Sequence, residues 1–127
     1  MPRTVISVVD DMFFVAKIRA TAEHLGVELK SVRNAELLLN LAREGSADLI
    51  IVDLQAQKLD PLAVARSLKS DRQLASIRLL GFFSHVETEL QKSARAAGYD
   101  VVIPRSVFSR DLAAILAGEE GETLSAN

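Results

Sequence analysis

Cysteine is absent from the 127 residues, which removes disulfide scaffolds, thiol nucleophiles and Cys-ligated zinc together and accords with a reducing compartment. Histidine occurs only as His24 and His85, too few for a histidine metal cluster. No apolar run approaches the roughly 20 residues that span a bilayer. Asp10 and Asp11 interrupt the first apolar stretch before a signal-peptide core could form. The expectation is a cytoplasmic protein with no membrane partner. Neither sign of charge dominates, because 15 Lys and Arg stand against 17 Asp and Glu for a formal charge of −2. No basic run is present that could track a phosphate backbone, so direct nucleic-acid binding is not expected.

What is present is ordinary for a globular domain: 49% hydrophobic and 25% charged residues, enough for one compact core at this length. The run TVISVV at Thr4 to Val9 and the run DLIIV at Asp48 to Val52 are too continuous for half-exposed strands and read as central strands covered on both faces. Between them Val15, Ile18, Ala22 and Leu25 recur at helical steps and stop at Gly26, which predicts a helix over Met12 to Leu25. Val27 to Val32 alternates like a strand near an edge, and Asn34 offers an N-cap to a helix over Ala35 to Arg43. Asp60 followed by Pro61 opens a third helix that runs to Ser70. Ile77 to Phe83 reads as the fourth strand and Glu87 to Ala97, closed by Gly98, as the fourth helix. Asp100 to Ile103 is then the fifth strand and Ser109 to Leu116 the last helix.

Strand and helix thus alternate five times, which predicts right-handed crossovers, a five-stranded parallel sheet and helices on both faces: a doubly wound (βα)5 domain of the α/β class with flavodoxin-like topology. Residues 1–117 form that domain. The last ten, GEEGETLSAN over 118–127, have no apolar period and are expected to fray or act as a linker.

Ligand sites in open parallel sheets lie at the carboxyl ends of the strands. Here those ends carry Asp10, Asp11, Asp53, Ser84 and Arg105. Carboxylates gathered at ~4 Å would repel by about 4 kcal/mol per pair at an effective dielectric near 20, so a cation is expected among them. Oxygen donors without His or Cys favour a hard divalent ion, Mg²⁺ above all, with Asp10, Asp11 and Asp53 as candidate ligands. A carboxylate in such a place can also attack phosphorus to form an aspartyl phosphate, with Ser84 and Arg105 suited to steady the phosphoryl oxygens. Taken singly, each of these residues has a plainer reading: Asp10 and Asp11 as helix caps, Asp53 as a loop start, Ser84 as a cap and Arg105 as a solvated charge. Their coincidence at matching strand ends favours the functional one.

The pieces VISVVDD, DLIIVDL, GFFS and AAGYDVVIPRS are similar to the receiver domains of response regulators in two-component signalling, over Val5 to about Leu116. The resemblance implies a phosphoacceptor domain, a signalling module rather than an enzyme in the usual sense. In that family an acidic pair follows strand one, a phosphoaccepting Asp ends strand three and a Ser or Thr ends strand four, which Asp10, Asp11, Asp53 and Ser84 match. The resemblance further implies that the backbone carbonyl of Gln55 completes the Mg²⁺ shell. As partners it implies a histidine kinase or phosphotransfer protein upstream, a protein effector downstream, and a homodimer as one output form. The chain departs from the family at the Lys position, seven residues beyond Gly98, where Arg105 stands, preceded by Pro104 and followed by Ser106. Val102 or Ile103 takes the place of the switch aromatic. A planar guanidinium does not replace a compact ammonium conservatively, so a pseudo-receiver that acts as a phosphorylation-independent adaptor stays open as an alternative.

Two other classes fit less well. A flavodoxin-like flavin or nucleotide binder needs a small, phosphate-cradling loop after strand one, where this chain has Asp10 to Phe14. A haloacid-dehalogenase-like phosphatase needs a second acid two residues after Asp10, where Met12 stands. Next to the acidic pair, Phe14 is expected in the core, Met12 and Phe13 could form a docking patch, and Phe82 and Phe83 should point to opposite faces of the sheet. His85, beside Ser84, could sense pH or contact a phosphoryl group, although an idle surface imidazole is the plainer reading.

Overall fold

The structure, a computed structural model, describes residues 2–45 and 47–119. Its elements follow in the order β1 (Thr4–Val8), α1 (Met12–Leu25), β2 (Glu28–Val32), α2 (Ala35–Glu44), β3 (Leu49–Asp53), α3 (Pro61–Ser70), β4 (Arg78–Phe83), α4 (Thr88–Ala97), β5 (Val101–Pro104), α5 (Arg105–Arg110) and α6 (Leu112–Ala117). All strand pairs are parallel, in the order β2-β1-β3-β4-β5. This is the doubly wound sheet that the alternation of apolar runs and helical stripes predicts. Most of the expected tail, residues 120–127, lies outside the described residues.

The pleat sorts the central strands onto two cores. Val5, Leu49, Ile51, Leu80, Phe82 and Ile103 join Phe14, Ile18 and Ala22 of α1 and Phe108, Leu112 and Ile115 of α5 and α6. Ile6, Val8, Ile50, Val52, Leu79, Phe83 and Val102 pack beneath Leu38, Val64, Leu68 and Ala94 of α2, α3 and α4. Phe82 and Phe83 therefore do serve opposite faces, as consecutive strand residues must. Tyr99 is buried after Gly98, and its hydroxyl donates to the Pro61 carbonyl at 2.8 Å, tying the end of α4 to the start of α3.

The ends of the elements shift by a residue or so, with one larger exception. The last helix begins at Arg105, directly after β5, rather than at Ser109. Although α5 and α6 are separate elements, the Asp111 N–H donates to Val107 O and the Ile115 N–H to Asp111 O, so the i to i−4 ladder runs through the junction. Phe108, Leu112, Ile115 and Leu116 form one buried stripe along both.

Gly81, inside β4, makes room for the residue that follows Asp53. A Cβ there would stand 2.7 Å from Leu54 Cδ2 and 2.8 Å from its Cγ, and the Leu54 N–H donates to Phe82 O at 2.9 Å. Leu54 is buried and cannot swing outward at no cost. Gly81→Ala is expected to lower stability by about 1–3 kcal/mol, as overpacking does, and to move the amide resonances of Asp53 to Gln55. Urea denaturation and an amide NMR spectrum check both, and an unshifted spectrum with unchanged stability would contradict this packing.

Candidate functional site

The residues singled out at the strand ends converge at the carboxyl edge of the sheet, and a cation joins them. Asp11 is the N-cap of α1: its Oδ1 accepts from the Phe13 N–H at 2.9 Å and the Phe14 N–H at 3.2 Å. Its other oxygen, Oδ2, accepts from Arg105 Nη2 at 2.8 Å. The guanidinium bond is the main cause that holds the Asp11 carboxyl below its ordinary range, helped by the two amides and opposed by desolvation. Arg105, the first residue of α5, also lies over the Phe14 ring, with Cζ 4.1 Å from the centroid. Phe14 stands edge-on to Phe82 and Phe108 at 5.4 and 5.5 Å between centroids. The place of Arg105 is thus set from below by the aromatic core and in front by Asp11.

Asp53, half-buried, closes β3, and its Oδ1 accepts from the Gln55 N–H at 2.9 Å. Burial pushes its carboxyl up; the Gln55 amide and the Arg105 charge pull the other way, while the negative charges of Asp10 and then Asp11 add to the upward push. Asp10 is exposed, and its Oδ2 accepts a long bond from the Gln57 N–H at 3.3 Å. Asp53 thus feels the negative charge of both other acids, and Arg105 is the cation that opposes it.

Gln55 does more than the sequence suggested. Its side chain bridges the loop after β3 to the loop after β4: Oε1 accepts from the Ser84 N–H at 2.8 Å and the His85 N–H at 3.0 Å, and Nε2 donates to His85 O at 2.7 Å. Ser84 is exposed and held through its backbone, which fixes its place next to the loop of Asp53. His85, also exposed, is engaged through its backbone as well. Met12 and Phe13 lie outward, 68% and 91% exposed, as does Val86 at 78%, whereas Phe14 is buried. Met12 and Phe13 are thus exposed apolar side chains directly after the acidic pair.

Among the described residues, no three acidic or histidine side chains are grouped as a ready metal centre. The donors nevertheless fit a hard divalent ion in kind. Asp53 and Asp10 each use only one carboxylate oxygen in the hydrogen bonds described above, and the backbone carbonyl of Gln55 follows in the same loop. Two carboxylates and a carbonyl, completed by water, suit Mg²⁺, which keeps several waters. Asp11 differs, because both of its oxygens are engaged.

A 2-1-3-4-5 parallel sheet with an acidic pair after β1, an Asp closing β3 and a Ser after β4 is the arrangement of the response-regulator receiver class, and the chain is a receiver-like domain by fold. Its relatives agree. The polar-differentiation response regulator DivK of Brucella anthropi is 29% identical over 107 residues, 84% of this chain and 87% of that protein. A response regulator from Hahella chejuensis superposes with a TM-score of 0.81 at 21% identity, covering 91% of this chain and 92% of that one. The chemotaxis response regulator CheY4 of Vibrio cholerae gives 0.79 at 16% identity, covering 94% and 99%. No model of a known protein family matches the chain. No helix among the described residues is long and apolar enough to cross a membrane.

Proposed function

We propose that this receiver-like domain accepts a phosphoryl group on Asp53 from a histidine kinase or a histidine phosphotransfer protein and passes the signal to a protein effector. The observation that carries this reading is the electrostatic setting of Asp53: a desolvated carboxylate at a strand end, facing two further acids and a guanidinium, with Ser84 held alongside by Gln55. In this reading an Asp53 carboxylate oxygen attacks phosphorus as the P–N bond of the donor breaks. Asp10, Asp53 and the Gln55 carbonyl would hold Mg²⁺, and the bound ion would offset negative charge on the phosphoryl oxygens. In this reading Ser84 and Arg105 would read the modified carboxylate. The exposed Met12 and Phe13, directly after the acidic pair, would in this reading contribute apolar contact to a protein partner.

The test is an amide NMR titration with Mg²⁺ and beryllofluoride, which imitates a phosphoryl group on a carboxylate. Mg²⁺ alone should move the amides of Asp10 and Asp53, and the amides of Ser84, β5 and the body of α5 should move only when both ions are present. If neither changes the spectrum, the chain is an adaptor that works without phosphorylation.

A further inference from the structure

We infer that Arg105 is the resident counter-ion of the acidic edge and that it competes with the divalent cation, so that Mg²⁺ meets a two-carboxylate site, Asp10 and Asp53, from which Asp11 is withheld. The inference rests on the reading above for the identity of the ion, and on the geometry of this chain for the rest.

Both oxygens of Asp11 are already engaged. Oδ1 closes the first turn of α1 through two amides, and Oδ2 takes the guanidinium at 2.8 Å. To ligate a metal it would have to share an oxygen that already accepts an N–H bond, or give that bond up. Arg105 is itself held: its guanidinium lies over Phe14, whose ring is wedged against Phe82 and Phe108. A stacked, planar cation of this kind is less free to withdraw than an ammonium on a flexible stem. It also acts on Asp53, whose carboxylate it favours by charge. One unit of positive charge thus already serves the acids that a divalent ion would serve, and an incoming ion meets both a ligand already in use and a like charge.

Binding linkage makes the competition reciprocal: what Arg105 takes from the metal, the metal takes from the Arg105–Asp11 pair. Calorimetric titration of MgCl₂ into the whole chain should give an affinity roughly tenfold higher in Arg105→Ala than in the wild type, on the order of one ligand or one nearby charge. Equal or weaker binding in a folded Arg105→Ala overturns the inference. A second measurement needs no variant: the Nε–H resonance of Arg105 in the wild-type spectrum should move in step with Mg²⁺ saturation, and a signal unmoved at saturation overturns the inference as well.

The two readings fail separately. Asp53 that resists a phosphodonor while metal affinity depends on Arg105 sinks the phosphoacceptor reading and leaves this one standing. Asp53 that is labelled while metal affinity ignores Arg105 does the reverse.

Discussion

Asp53→Asn should abolish labelling of the chain by a small phosphodonor such as acetyl phosphate, and should at the same time make the protein more stable at neutral pH. The first effect follows from chemistry: an amide of the same shape is not a nucleophile toward phosphorus, and Asp10 and Asp11 sit in the adjoining loop, outside the half-buried position of Asp53 at the end of β3. The second follows from electrostatics. Desolvation, with the charges of Asp10 and Asp11 adding to it, raises the Asp53 carboxyl in the folded chain above its unfolded value. A group shifted in this direction favours folding fully below its unfolded pKa, near 4 for a carboxyl, and loses that contribution as pH rises through the folded value. At pH 7 the wild type therefore carries a charge that opposes folding, and the Asn variant does not.

The gain should shrink as both proteins are acidified into the ordinary carboxylate range, through the raised folded value of Asp53. Intact-mass spectrometry reads the labelling, and urea denaturation at pH 7 and pH 4 in the presence of a chelator reads the stability. Labelled Asp53→Asn protein would remove Asp53 from its role; a stability gap that does not depend on pH would remove the electrostatic account of it. Asp11 behaves oppositely. Its carboxyl is lowered by Arg105 and the helix amides, so its contribution is present at neutral pH and is lost as pH falls through its depressed folded value.

The strands and helices were legible because their signals are local. Continuous β-branched runs mark strands covered on both faces, and apolar residues at steps of three and four mark helices that lie on them. The acids were legible for the same reason, since the sheet topology brings the strand ends together once the strands are known. The start of the last helix carried no such signal. Pro104 gives it no capping side chain, and Arg105 opens it with a cation at the positive end of the helix dipole. Burial of Phe108 against Phe14 of α1 and Phe82 of β4, together with the Arg105–Asp11 pair, holds that turn in place. Arg105 and Asp11 stand 94 residues apart, and their pairing depends on how α5 leaves the sheet. The Gln55 bridge depends on two loop backbones that present amides to one side-chain oxygen. Neither could be read from spacing, although the expectation of a cation among the acids pointed toward the first.

Phe108→Ala is the core substitution with the largest expected cost, about 3–5 kcal/mol for a buried phenyl ring, out of the 5–15 kcal/mol typical of a whole domain. The ring is fully buried and lies parallel to Phe82, with centroids 4.9 Å apart and planes 5° from each other. Phe14 meets both edge-on, so the three rings brace one another between the sheet and helices α1 and α5. Phe13→Ala, one residue from Phe14 but 91% exposed, should stay within about 0.5 kcal/mol of the wild type. Urea midpoints and slopes for the two variants separate a core ring from a surface one, and a loss below 1 kcal/mol for Phe108→Ala would contradict the bracing. The consequence reaches the site. Phe14 is the platform beneath Arg105, so a hollow under Phe14 frees the guanidinium to leave Asp11. In Phe108→Ala protein that remains folded, the Arg105 Nε–H signal should lose its distinct position and approach that of a solvated arginine, which ties the packing of the core to the charge balance at the acidic edge.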